Sequence, residues 1–212
     1  MPITPHPDRP KFDARLKAIG KRFDTACDVT LFRFINPSYS KAMDIIDGAG
    51  ALHADGRWNL KGATPLSYTA TAPETALAEV LAHVRYFRLP EAKALPRILV
   101  GLRLKTQCVL DLRDGKVRKA LRLSEATIRK LDWRAENQTG KEAVTQAWGV
   151  AFARAGFEAV IVPSAASPAG QNVLVFPKNL LPGSNLEVIE EEKWPGNESC
   201  NFAGFACLLR KD

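Results

Sequence analysis

Five residues in this chain have side chains and spacings that could do chemistry in one cleft. Glu79 lies in the run GRWNLKGATPLSYTATAPETALAEVLAH (56–83), which also holds Arg57 and Tyr68. Arg33 falls inside the apolar segment VTLFRFI (29–35), and Ser164 follows the apolar run AVIV at 159–162. Each has an ordinary alternative. A glutamate beside an apolar helical stripe is usually just solvated. An arginine on an apolar strand face must meet an anion, either a buried protein carboxylate or a bound phosphate or carboxylate ligand. Taken together, two arginines, an aromatic, a glutamate and a serine suit a dinucleotide with a labile glycosidic bond. Guanidinium forks match phosphate oxygens bidentately, and tyrosine offers a stacking face to a flat ring. A carboxylate can hold a ribose hydroxyl and stabilise the positive charge that builds on the sugar as the base leaves.

Other chemistries fit less well. Ser164 lacks a GxSxG elbow and the chain has only His6, His53 and His83, so a Ser-His-Asp triad is disfavoured. Those histidines make no metal pattern, and the four scattered cysteines form no CxxC, which argues against zinc or a disulfide framework. Glu79 has no convincing second carboxylate for a two-carboxylate glycosidase. The net charge of +7 calls for an anionic partner. Much of it is local: residues 113–134 carry eight Lys or Arg against three acids. Nucleic acid, an acidic protein, an anionic small molecule and a simply solvated basic helix all satisfy that segment. No helix-turn-helix, RNP or finger pattern accompanies it, so direct nucleic-acid binding is disfavoured.

The elements that must position these residues follow from periodicity and punctuation. A short helix is predicted over 12–23, strands over 29–35 and 66–70, and a short helix over 39–46. Arg33 shares a strand face with Val29, Leu31 and Ile35; Leu66, Tyr68 and Ala70 share another. Leu77, Val80, Leu81 and Val84 recur at helical spacing, with Ala72, Ala76, Glu79 and His83 on a neighbouring line. Thr71 and Glu74 have the spacing of a capping box at that helix's start. Strands are expected over 97–104 and 108–112, and a Ser124-capped helix over 124–131. A second strong helix, 141–155, ends at Gly156. Strands at 159–162, 172–176 and 186–189 complete one α+β domain, 29–193, with an extension at 1–28 and a tail of unassigned role at 194–212. No apolar run approaches the ~18 residues that span a bilayer. The polar, Pro-rich start does not read as a signal peptide, so a cytoplasmic protein away from membranes is expected.

The Arg33 strand, the GRWN-x-KG segment with Tyr68, the PETALAEVLAH helix and the VPSA…G-x-N-VLVFP hairpin together resemble the RES domain, a family named for its recurring Arg, Glu and Ser. The resemblance spans roughly residues 31–177. It implies an ADP-ribosyltransferase-like mixed core of two small sheets flanked by helices. It also implies the toxin half of a type II toxin–antitoxin pair that consumes NAD as substrate by hydrolysis, phosphorolysis or ADP-ribosyl transfer, with no separate cofactor. An Xre-like antitoxin would plug the cleft, and homo-oligomerisation is left open. By position, Arg33 and Arg57 would meet the pyrophosphate and ribose, Tyr68 the nicotinamide, and Glu79 the nicotinamide ribose, with Ser164 lining the same cleft. Asn172 and Lys61 are further candidates. The first motif reads FRF here, where Arg followed by Tyr is frequent, so Phe34 would lose any hydroxyl contact.

Overall fold

The computed structural model describes residues 2–20 and 24–193; the expected tail, 194–212, lies outside the described residues. Six strands form one sheet: β1 (Asp24–Ile35), β2 (Ser67–Ala70), β3 (Ile98–Asp111), β4 (Ala159–Pro163), β5 (Gln171–Val175) and β6 (Asn185–Lys193). Their order is β1-β2-β5-β4-β3-β6, and β1 also pairs with β3. That extra pairing closes β1-β2-β5-β4-β3 into a five-stranded barrel. The α+β class stands, but the two small sheets are corrected to one closed ring. Closure follows from the length of β1 and β3, which pair antiparallel from Asp24↔Leu110 to Ile35↔Ile98. The β3 strand is long enough to carry β4 in parallel at 109–111 and β6 antiparallel at 98–105 on its other side.

Strand alternation sorts the core. Leu31, Val100, Leu102, Val109, Ala159 and Val173 fill the barrel and are almost fully buried. Outside it, α1 (Arg9–Ile19) and α8 (Val144–Arg154) cover one face, where the rings of Phe12 and Trp148 stack at 4.3 Å. On another face, α4 (Pro73–Tyr86) packs Ala76, Leu77, Leu81 and Val84 against Phe34 and Ala70. One end of the barrel receives Ile45, fully buried, from α2 (Ala42–Ile46). Four further helices, α3 (Gly50–His53), α5 (Gly115–Leu121), α6 (Glu125–Lys130) and α7 (Trp133–Gln138), sit in the connections.

Several boundaries differ from expectation. The first helix runs Arg9–Ile19 rather than 12–23, and 21–23 lie outside the described residues. The two strands expected over 97–112 are one, because Lys105 and Gln107 are exposed while Thr106 is buried, which keeps the alternation going. The capping box does not form. Ala72 is the N-cap of α4 with no side-chain cap bond, Pro73 takes the first turn, and the Thr71 amide is already bonded to the carbonyl of Gln171 at 3.1 Å. The Ser124 cap on α6 does form, accepting from the Thr127 amide.

Candidate active site

A cavity of about 590 Å³ opens where α4, β1, β2 and the turn at 56–59 meet. That volume is in the range of small-molecule sites. Its wall includes Arg33, Arg57, Tyr68, Glu79 and Asn172, five of the seven residues singled out in the sequence.

Glu79 is the best-held acid in the wall. Ser164 Oγ and Asn172 Nδ2 each donate to its Oε1 at 2.6 Å. Both bonds fall on the same oxygen, so Oε2 is the one offered to the cavity. Ser164 reaches Glu79 because β4 ends at Pro163 and the following loop folds over its hydroxyl. That hydroxyl accepts from the amides of Ala166 (3.1 Å) and Ser167 (3.0 Å). The loop is anchored from outside by Arg129, whose Nη1 donates to the carbonyls of Ser164 and Ser167. Ser164 is fully buried and does not line the cavity itself. It stands behind Glu79 and holds that carboxylate, rather than lining the cleft as expected. Asn172 is nearly as enclosed, and its Oδ1 has no partner.

The arginines divide. Arg57 Nη1 donates to the carbonyls of Ile128 (3.2 Å) and Leu131 (2.8 Å) at the end of α6, so Nε and Nη2 are the atoms it can present to a ligand. Burial lowers its pKa, while the nearby Glu79 carboxylate acts in the opposite sense. Arg33 shares the barrel-facing side of β1 with Leu31 and Ile35. Its Nη1 donates to the Ile45 carbonyl (2.7 Å) and to Ser67 Oγ (2.9 Å). Within the protein its partners are therefore a carbonyl and a hydroxyl rather than the carboxylate considered from sequence, and it stands in the cavity wall. Burial lowers its pKa too, offset in part by Asp47.

Tyr68 is fixed at both lone pair and proton. Its hydroxyl donates to Asn59 Oδ1 (2.8 Å) and accepts the Trp58 amide (2.9 Å). Burial raises its pKa far above the ordinary phenol value, so it stays neutral. The fit is close at Gly56, where a Cβ would stand 2.5 Å from Asn59 Oδ1 and 2.7 Å from the Tyr68 hydroxyl oxygen. Lys61 is not brought to the site: it is exposed, with its amide on Asp55, and it does not line the cavity.

Sequence reasoning missed two groups. The first is a pair of buried amides that hold the 56–59 turn. Asn59 Nδ2 donates to the carbonyls of Ala51 and Ala54, and Gln146 Nε2 donates to the Gly56 carbonyl at 2.9 Å. Gln146, fully buried beside the apolar stripe of α8, was detectable as a polar residue in an apolar context. The second is a rim of Tyr86, Trp133 and Arg134, which no local pattern ties to Glu79. Among the described residues no cluster of three His, Cys, Asp or Glu could hold a metal ion, and no helix is long and apolar enough to cross a membrane.

A model of the RES domain family matches residues 30–195 of the chain. Among solved structures, the fold is similar to a chain in the crystal structure of the M. tuberculosis MbcT-MbcA toxin-antitoxin complex. The TM-score is 0.68 at 24% identity, covering 86% of this chain and 91% of that one. No curated protein matches the sequence significantly. At that level of identity the structural likeness speaks for the fold, and the family rests on the matched domain.

Proposed function

The chain belongs to the RES domain family, and from that premise we propose that it is a toxin that consumes NAD by breaking the nicotinamide–ribose bond. The observation that carries this reading is the Glu79 carboxylate, fixed through one oxygen by Ser164 and Asn172 with the other directed to a cavity walled by Arg57 and Tyr68. In NAD the nicotinamide nitrogen already bears positive charge, so it departs with the bonding pair and needs no proton from an acid. The sugar left behind is oxocarbenium-like. A carboxylate held rigidly beside it stabilises that charge without having to reorganise, and buried sites make such contacts count for more than water would. An acceptor then adds at the anomeric carbon: water, phosphate or a protein side chain.

The same reading assigns a neutralising antitoxin of the Xre-like kind. The toxin–antitoxin complex that the fold resembles supports an antitoxin partner, and in this reading that partner closes the cavity. A purely nucleic-acid-binding role for the basic segment is less well supported. Arg113 is paired with Asp111, and Arg118 and Arg129 with Glu125, so part of that charge is already committed within the chain.

Mass spectrometry of NAD incubated with the pure protein in phosphate buffer tests the proposal. Free nicotinamide with ADP-ribose identifies water as acceptor, ADP-ribose 1-phosphate identifies phosphate, and a mass increment on protein identifies transfer. Intact NAD after prolonged incubation in all buffers would overturn it.

A further inference from the structure

Arg134 is the basic side chain of the 113–134 segment that points to a ligand. Its guanidinium lies over the rings of Trp133 (4.3 Å to the centroid) and Tyr86 (4.6 Å), with Phe87 at 5.9 Å. The guanidinium and the two nearer rings sit at the cavity rim: Tyr86, Trp133 and Arg134 are in the wall with Glu79 and Arg57. Where Arg113, Arg118 and Arg129 are paired with acids, Arg134 makes no ion pair within 4 Å among the described residues: Asp132 and Glu79 act on it only through space, and it meets His83 Nδ1 at 3.3 Å. The nearest candidate, Asp132, is already occupied. It accepts the Tyr86 hydroxyl at 3.2 Å and the amides of Arg134 and Ala135 at 3.1 Å.

Aromatic rings cover the faces of a planar cation and leave its N–H edge for in-plane acceptors, which is the geometry of phosphate recognition. The charge balance agrees. Three guanidinium groups (Arg33, Arg57, Arg134) face two carboxylates (Asp55, Glu79) across the wall. Arg33 already spends Nη1 on two protein oxygens, and Arg57 spends Nη1 likewise. The cavity is left needing anionic charge, and the least committed donor stands at its rim.

We propose that Arg134, held between Trp133 and Tyr86, is a phosphate-anchoring residue that grips the anionic end of the ligand while Glu79 addresses the sugar. This deepens the NAD-cleaving reading and rests on it for the identity of the substrate. It does not rest on it for the anion site. Two measurements on the full chain separate them. The first is turnover of NAD against nicotinamide riboside, which carries the same scissile bond and no phosphate. The second is calorimetric binding of ADP, which needs no turnover. Arg134→Ala is expected to raise KM for NAD and to weaken ADP binding by on the order of tenfold or more, with kcat largely kept. Arg134→Lys should restore part of both, and kinetics on nicotinamide riboside should not move. Equal losses on NAD and nicotinamide riboside, or ADP binding that ignores the substitution or is absent from the parent protein, would overturn the assignment. If the parent protein binds ADP through Arg134 yet leaves NAD intact, the anion site stands and the proposed reaction falls.

Discussion

Ser164 and Glu79 lie 85 residues apart in the chain and are joined by a 2.6 Å hydrogen bond from Oγ to Oε1. The bond exists because β2, β5 and β4 lie side by side, with Ala70 and Val162 both opposite Asn172, which brings the end of β4 beside the second turn of α4. The Ser164 hydroxyl also collects two backbone amides. Substituting Ser164→Ala removes one of two donors from a charged acceptor and strips two amides of their partner. NAD turnover should fall roughly 10–100-fold, since a hydrogen bond to a charged group is worth about 1.5–3 kcal/mol. Steady-state kinetics beside a thermal melt would check this. Unchanged turnover would remove Ser164 from any account of catalysis.

Glu79→Gln keeps the shape and removes the charge. If the carboxylate stabilises a cationic sugar, the rate should drop on the order of 10²–10³ while ADP binding holds. A folded variant that turns over NAD at the parent rate would assign the chemistry elsewhere.

Gly149 sets two effects against each other. Alanine favours a helix interior over glycine by about 1 kcal/mol, but a Cβ here would stand 1.8 Å from the Trp58 carbonyl oxygen. Backbone is in the way, so the clash wins. Gly149→Ala should lose about 1–3 kcal/mol in denaturant unfolding and disturb the adjoining Arg57. A more stable variant would contradict the packing.

Glu158 gives the fold an acid-sensitive joint. Burial alone would raise its pKa. The Ser184 hydroxyl and the amides of Leu181, Gln107 and Cys108 more than offset that and hold it below the usual 4.5. A pKa depressed in the folded state contributes stability that is present above the unfolded value and is lost as pH falls through the folded one. Urea unfolding should therefore show the parent protein ahead of Glu158→Gln at about pH 7, with the gap closing below about pH 4.5. A gap that persists or widens in acid would reverse the assignment.

How much of this was legible in the sequence depends on how local the cause was. Helix α4 and the Glu79 line on it follow from periodicity within fourteen residues, and the Ser124 cap needed only its own neighbours. The Thr71–Glu74 pattern was equally local, and it yielded to a strand pairing: the Thr71 amide goes to Gln171, a hundred residues away. Barrel closure could not be read at all, because the pairing of β1 with β3 is a choice among distant strands that no single segment encodes. The site divides the same way. Arg33 and Arg57 were visible as cations in apolar or glycine-flanked settings. That Arg33 would bond Ile45 and Ser67 inside the barrel mouth depended on where α2 came to rest. Lys61 shared the GRWN-x-KG motif with Arg57, yet the turn sends it to solvent.

The β6 strand is paired only along the first part of β3, beyond the stretch that holds β4. The ring is complete without it. The sixth strand can therefore fray as a unit while the closed five keep their mutual protection, and native-state hydrogen exchange should find two tiers. Amides donated between β3 and β6 should trade with deuterium well before those between β1 and β3. Uniform exchange across both would mean that the outlying strand and the ring stand or fall as one.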